Sequence, residues 1–370
     1  MKILVINWQD IKNPFGGGAE VHLHEIFSRV AKKGHEVTLF CCEVDGRPNE
    51  EVIDGIRVIR KGSRSRFNFY VKKEYIRRFS KENFDIVIDD VNKIPFYTPR
   101  FVNEPVLGIS HHFFGRSIFR ETNPVAGLYV YISEYLMNYV YKNTPFAVVS
   151  ESTLKDFLER KFDKDKFTII PNAINQNDFP MEVREKSQKP TITYFGRLKR
   201  YKSVDHLLKA FAIVKEKYPQ ARLEILGKGN FMDHLKLLSK KLNIDENTTF
   251  FGFVSEEDKI KLLSRSWAMV NTSMKEGWGI TNIEANACGT PVISANVPGL
   301  KDSVKNGVSG LLYEYGDINE LSKKIENLIS SAELKSSLSI GAVEWAYKFS
   351  WDHSAELMIQ TCNKVIKDHF

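Results

Sequence analysis

The chain has 370 residues, a net charge of +7, and a composition that is 42% hydrophobic, 27% charged and 12% aromatic. At roughly 100–200 residues per domain the length points to two domains, and the apolar fraction excludes a disordered chain. No apolar run approaches the roughly 20 residues of a spanning helix, and the positive balance favours anionic partners.

Residues 2–7 read as a buried first strand, too short in its apolar run to be a signal peptide. Residues 19–33 read as a helix, with Leu23, Ile26, Phe27 and Val30 at one-face spacing and Gly34 placed to end it. Short apolar runs at 36–40, 56–59, 85–88, 106–109, 146–149 and 167–170 continue the alternation of strand and helix, the pattern of a parallel sheet covered on both faces. Residues 172–190 lack periodicity and read as a linker. The pattern restarts with strands at 191–196, 223–227, 249–252, 267–272 and 291–294 and a helix at 203–217 for which Ser203 is the expected N-cap. The expected organisation is α/β, with two Rossmann-like doubly wound domains facing across a cleft. An N-terminal domain spans 1–172, a linker 173–190 and a C-terminal domain 191–350, and a last helix at 351–370 packs back toward the N-terminal domain. Cys41, Cys42, Cys288 and Cys362 show neither metal spacing nor a disulfide framework, which fits a reducing compartment. The expected location is cytoplasmic, with peripheral attachment to the inner face of a membrane allowed.

Three motifs carry chemistry. Gly16-Gly17-Gly18 stands between the first strand and first helix, where bare backbone and free amides can meet an anion; a plain tight turn would look the same. Arg197 follows the 191–196 strand and Lys202 precedes the next helix, two cations suited to a diphosphate, or else part of a solvated basic turn. Glu276 and Glu284 flank a glycine-bearing loop. Thr281 reads as a helix N-cap with Glu284 three residues on, so the pair could be a capping box, or Glu284 could accept hydrogen bonds from a diol. His111 and His112 close the 106–109 strand. His22 and His24 read as helix surface or packing. Asp89 and Asp90 invite a metal reading that has no partner ligands, and no metal or other cofactor is expected.

With these motifs in order, the chain resembles the retaining glycosyltransferases of family 4, which have the GT-B fold. The resemblance rests on GGGAEVHLHEIF, IIPNAINQNDF, YFGRLKRYKSVDHLLKAF, LEILGKGN, FFGFVS and, above all, EGWGITNIEANACGTPVISANVPGLKDSVKNGVSGLLY, whose two glutamates with seven residues between them are that family's mark. It implies that Arg197 and Lys202 hold the donor diphosphate, that Glu276 meets the transferred sugar and Glu284 the ribose, and that Gly279, Ile280 and Thr281 offer loop amides. It also implies that Gly229 and Val254 line the nucleoside, that Gly17 and Gly18 close on the diphosphate, and that His111, with His112 in reserve, is the active-site histidine.

The reaction so implied moves a hexose from a UDP- or GDP-sugar to a glycan or lipid-linked acceptor with retention. Of the two routes to retention, a covalent enzyme intermediate and same-face attack, the expected one is same-face attack. The alternative function is a nucleotide-sugar epimerase or hydrolase of the same fold. Residues 61–81 interleave basic and aromatic side chains and invite contact with an anionic membrane surface, and 113–141 is rich enough in aromatics to line a greasy acceptor groove. No nucleic-acid partner is expected.

Overall fold

The computed structural model describes residues 1–92, 94–120 and 122–369, which form two units. The first comprises residues 1–172 and the C-terminal helix. Its elements are β1 (Lys2–Ile6), α1 (Gly18–Lys32), β2 (Glu36–Cys41), β3 (Glu50–Ile53), β4 (Ile56–Arg60), α2 (Phe67–Arg77), β5 (Ile86–Val91), β6 (Val106–Ser110), α3 (Pro124–Val140), β7 (Phe146–Val148), α4 (Glu151–Glu159) and β8 (Phe167–Ile169). The sheet runs β3-β4-β2-β1-β5-β6-β7-β8. Every pairing is parallel except β3 on β4, a hairpin closed by Asp54 and Gly55, both at positive φ. Ile3, Leu4, Val5 and Ile6 are fully buried, as a central parallel strand covered on both faces requires.

The second unit is Ala173–Ser350. It contains β9 (Thr191–Phe195), α5 (Val204–Lys217), β10 (Arg222–Leu226), α6 (Met232–Lys241), β11 (Thr248–Gly252), α7 (Glu256–Arg265), β12 (Ala268–Asn271), α8 (Ile280–Ala287), β13 (Val292–Ala295), β14 (Gly310–Tyr313), α9 (Ile318–Ser330) and α10 (Ala332–Ala346). Its sheet runs β11-β10-β9-β12-β13-β14, parallel throughout. The core is built from β9, β10 and α5, where Ile192, Leu207, Phe211, Leu223 and Ile225 are fully buried. Parallel order brings the carboxyl ends of neighbouring strands to one edge, and the motif-bearing loops leave from that edge.

Residues 173–190, read from sequence as a linker, are packed onto the second unit. Met181 N donates to Ala287 O at 2.9 Å, and Trp267 Nε1 donates to Ser187 O at 2.7 Å. Lys186 Nζ reaches Ser264 O, Gly289 O and Thr290 Oγ1, and burial pulls its pKa down to about 8. A segment without periodicity is held here by individual polar contacts.

The last helix, α11 (Trp351–His369), belongs to the first unit and lies against α1. Arg29 Nε meets Asp352 Oδ1 at 3.1 Å, and Ser354 Oγ donates to Pro171 O at 3.0 Å.

Candidate functional site

In the second unit the motif residues leave the carboxyl ends of β9, β10, β11 and β12. After β9 the chain turns at Gly196, whose φ of 152° suits glycine, and exposes Arg197 while fully burying Leu198. A short 3-10 turn at Arg200–Lys202 follows. Two bonds stitch it to the loop after β12: Thr272 Oγ1 donates to Lys202 O at 2.8 Å, and Met274 N donates to Tyr201 O at 2.9 Å. Lys202 Nζ forms an ion pair with Glu276 Oε1, both side chains mostly buried. Among the described residues Arg197 has no ion-pair partner. Ser203 does precede α5, but its backbone is left-handed, and its hydroxyl lies 2.9 Å from the Tyr315 hydroxyl instead of capping the helix.

The glutamate loop differs from the capping-box reading. Gly279, at φ 81°, is the N-cap of α8, and Thr281 lies inside the helix with its Oγ1 accepting from Asn271 Nδ2 at 3.3 Å. Glu284 is therefore the fifth helical residue, two positions past the one that could close a box with the N-cap, and Thr281 is not the cap. Its carboxylate turns to Lys259, a residue of α7, whose Nζ donates to Glu284 Oε1 at 2.8 Å and Glu256 Oε2 at 2.5 Å. The Lys259 ammonium lies 5.4 Å from the Phe179 ring centroid and 5.2 Å from that of Phe195. Burial raises the Glu284 pKa, and Lys259 offsets only part of that rise. Burial also works against the Lys259 charge, but the two carboxylates outweigh it and its pKa shifts upward.

Gly229 follows β10, where a side chain would strike Leu198 O at 2.0 Å, so close backbone approach alone accounts for glycine there. Val254 is half-buried beside Ser255, whose hydroxyl caps α7 by accepting from Asp258 N at 3.1 Å. Arg197, Lys202, Gly229, Val254, Glu276, Gly279, Ile280, Thr281 and Glu284 thus arise along one edge of one parallel sheet.

Two family models between them match residues 16 to 345. The one described as glycosyl transferases group 1 covers 175–345, and glycosyltransferase family 4 covers 16–178. The chain belongs to the group 1 glycosyltransferases. An uncharacterized glycosyltransferase of Methanocaldococcus jannaschii is 27% identical over 96% of both chains. Sucrose-phosphate synthase from Thermosynechococcus elongatus superposes with a TM-score of 0.80 at 20% identity, over 99% of each chain. Anabaena HepE, solved in complex with UDP-glucose, gives 0.74 at 17% identity over 98% of this chain and 100% of its own. These likenesses show the GT-B fold.

In the first unit of this glycosyltransferase, β1, β5 and β6 are adjacent and their carboxyl ends carry the glycine loop, Asp90 and His111. The glycine loop is internally engaged. Gly16 N donates to Asn13 O at 2.9 Å, and Gly17 N, at the N-cap of α1, donates to Glu20 Oε2 at 2.6 Å. Gly18 opens α1. Of the two histidines, His111 is buried with Nε2 3.3 Å from Asp90 Oδ1, while His112 lies against the Phe114 ring at 4.6 Å. Both Asp90 oxygens are buried without a hydrogen bond among the described residues. Asp89 points elsewhere: it accepts from Thr98 Oγ1 at 2.6 Å and Tyr141 Oη at 2.5 Å, and burial pushes its pKa up to about 6. Among the described residues no group of three or more His, Cys, Asp or Glu is placed to hold a metal ion.

His22 is a buried neighbour of this cluster. Its ring packs edge-on to His111 at 5.1 Å, Nε2 donates to Ile170 O at 3.3 Å, and burial followed by the His111 charge lowers its pKa to about 3. His24 points away, with Nε2 2.8 Å from Asp54 Oδ2. Lys259, Asp90 and His22 are the neighbours that sequence reasoning did not select as site residues. Lys259 had one signal: a lysine with Leu262 and Leu263 at i+3 and i+4, on the helix face that packs inward.

The basic segment 61–81 also resolves differently from a uniform membrane-facing stretch. Phe67, Tyr75 and Phe79 are core residues, Lys61 and Arg77 pair with Glu74, and Arg78 pairs with Glu50 and Glu82. Among the described residues no helix is long and apolar enough to cross a membrane.

Proposed function

We propose that the second unit binds a nucleotide-diphosphate sugar, UDP- or GDP-linked, and that the enzyme transfers its hexose with retention to a hydroxyl of a glycan or lipid-linked saccharide of cell-surface polysaccharide synthesis. The observation that carries this reading is the Lys202–Glu276 ion pair, which arises on the same sheet edge as exposed Arg197 and the N-terminus of α8. As the glycosidic bond breaks, negative charge grows on the leaving diphosphate. Arg197 and Lys202 are fixed cations that stabilise that charge, and the α8 amides at Ile280 and Thr281 add hydrogen-bond donors.

Glu276 accepts from hydroxyls of the transferred sugar, and its bond to Lys202 keeps the lysine aimed at the same site. Glu284, steadied by Lys259, accepts from the ribose diol, and both of its oxygens can take part. Gly229 and Val254 flank the nucleoside. In the first unit the same reading gives Gly17 and Gly18 the role of donors to the diphosphate and His111, with Asp90 beside it, that of the active-site histidine. The acceptor hydroxyl attacks from the side the leaving group departs, and its proton passes to the departing phosphate oxygen. The two cations fill the part that a divalent metal plays elsewhere, so no cofactor enters. The UDP-glucose bound to HepE of the same fold supports the donor class.

A panel of UDP- and GDP-sugars read by thermal shift tests the proposal, with Glu276→Ala and Arg197→Ala alongside. The expected result is stabilisation of the native enzyme by one donor family and its loss in both variants. No donor shift, or undiminished shifts in both variants, overturns it. Donor consumption without acceptor would point to the hydrolase or epimerase alternative.

A further inference from the structure

Helix α3 is inverted relative to an ordinary surface helix. Its inward stripe is Gly127, Val130, Ser133, Glu134 and Met137, mostly small or polar residues. Its outward side carries the larger apolar groups, Val125, Leu128, Ile132, Tyr135, Leu136 and Tyr139, with Val125 81% exposed. Its sole acid is turned in: Glu134 accepts from Phe114 N at 2.7 Å and Gly115 N at 2.8 Å. A contiguous uncharged apolar face of this kind marks an interaction site.

Helix α2 supplies the charge. Phe69, Lys72, Lys73 and Ile76 fall at i, i+3, i+4 and i+7, and all four are exposed. Asn68 Nδ2 donates to Tyr129 Oη at 2.8 Å and ties α2 to α3. Basic side chains therefore stand beside an apolar, tyrosine-bearing face. Tyrosine suits a boundary between water and hydrocarbon because its ring is apolar and its hydroxyl is not.

We propose that α3 lies in the headgroup–acyl boundary of an anionic bilayer, with Lys72 and Lys73 against lipid phosphates. A second copy of the chain fits less well, because a self-complementary contact would set like-charged lysines against each other. The inference goes beyond the donor reading and needs no donor.

Co-sedimentation of the full chain with phosphatidylcholine vesicles, with and without phosphatidylglycerol, tests it. Binding is expected to phosphatidylglycerol vesicles at low salt and to weaken as salt rises. The double variant Leu128→Asp with Ile132→Asp is expected to lose at least tenfold in partitioning with an unchanged melting temperature, which its exposed positions permit. Lys72→Glu with Lys73→Glu is expected to abolish the preference for anionic lipid. Absence of native binding at low salt, or equal binding by the α3 variant, overturns the proposal. So does a dimer in sedimentation velocity that the α3 variant dissolves while vesicles go unbound.

Discussion

Lys259 Nζ stands 2.8 Å from Glu284 Oε1, and the two residues come from different helices, α7 and α8. An ammonium held between two phenylalanine rings has little freedom, so it fixes where the carboxylate points. Removing it leaves a buried acid without its counter-charge, and the Glu284 carboxyl would rise further. Lys259→Met is therefore expected to weaken nucleotide-sugar binding by roughly tenfold or more, a cost of about 1.4 kcal/mol or above. The loss should deepen as pH falls, because the uncompensated acid protonates sooner. Isothermal titration at pH 8 and pH 6 reads both effects, and unchanged affinity at both would refute the role given to Lys259.

Lys202 and Glu276 share one ion pair but have different tasks in the proposed reaction. There Lys202→Ala would remove a cation from the leaving group, and it is expected to lower kcat by about 100-fold or more. Glu276→Gln keeps the shape and loses the charge, so it weakens the grip on the sugar while leaving UDP or GDP affinity within a few-fold. Steady-state kinetics set against nucleotide binding would separate the two.

If fixed cations do the work of a metal, chelation should not matter. Enzyme dialysed against EDTA is expected to keep full activity, and added Mg²⁺ or Mn²⁺ should raise it less than twofold. Loss on dialysis that Mn²⁺ restores would contradict the arrangement proposed for Arg197 and Lys202.

Much of the architecture was legible because parallel strands are continuous apolar runs, and those at 36–40, 56–59 and 191–196 correspond to β2, β4 and β9. The hairpin strand β3 was not, since Glu50 and Glu51 disguise it, although Asp54-Gly55 carries the turn signal. Within the candidate site, spacing made legible that Glu276 and Glu284 flank one loop at the sheet edge. It was not legible where tertiary contact decides. The cap of α8 falls on Gly279, whose left-handed φ starts the helix two residues earlier than Thr281 suggests. Nothing local announces that Lys259 crosses to Glu284, or that Asp90 rather than Asp89 faces His111. The aromatics of 113–141 divide between core, where Phe113 and Tyr141 lie, and the bare face of α3, a split that composition cannot reveal.

The buried His22 makes stability sensitive to acid. Its folded pKa, about 3, lies below the ordinary histidine value of 6.5. Between those values the unfolded chain binds the proton that the folded chain refuses. The stabilising effect of keeping this ring neutral is thus present above about pH 6.5 and is lost as pH falls toward 3. From pH 7 to pH 5 the native enzyme should lose about 2 kcal/mol through this group. His22→Gln should flatten that part of the profile. Urea unfolding at the two pH values, native against variant, measures the difference, and parallel profiles would exclude His22 as the source.

Gly299 supports the glutamate loop from below. At φ 84° a side chain would be strained, and its Cβ would also stand 2.0 Å from Glu276 O. Gly316 offers the contrast: φ is 91°, but nothing lies within 4 Å of a Cβ there. Both alanine variants bear the conformational cost of about 1–2 kcal/mol. Only Gly299→Ala must also displace the backbone that carries Glu276. Gly316→Ala is therefore expected to lower the melting temperature by a few degrees, on the order of 2–4 °C per kcal/mol, and to leave donor affinity unchanged. Gly299→Ala is expected to lower it further and to weaken donor binding at least tenfold. Equal behaviour of the two variants in donor titration would mean that the position of the Glu276 loop does not govern binding.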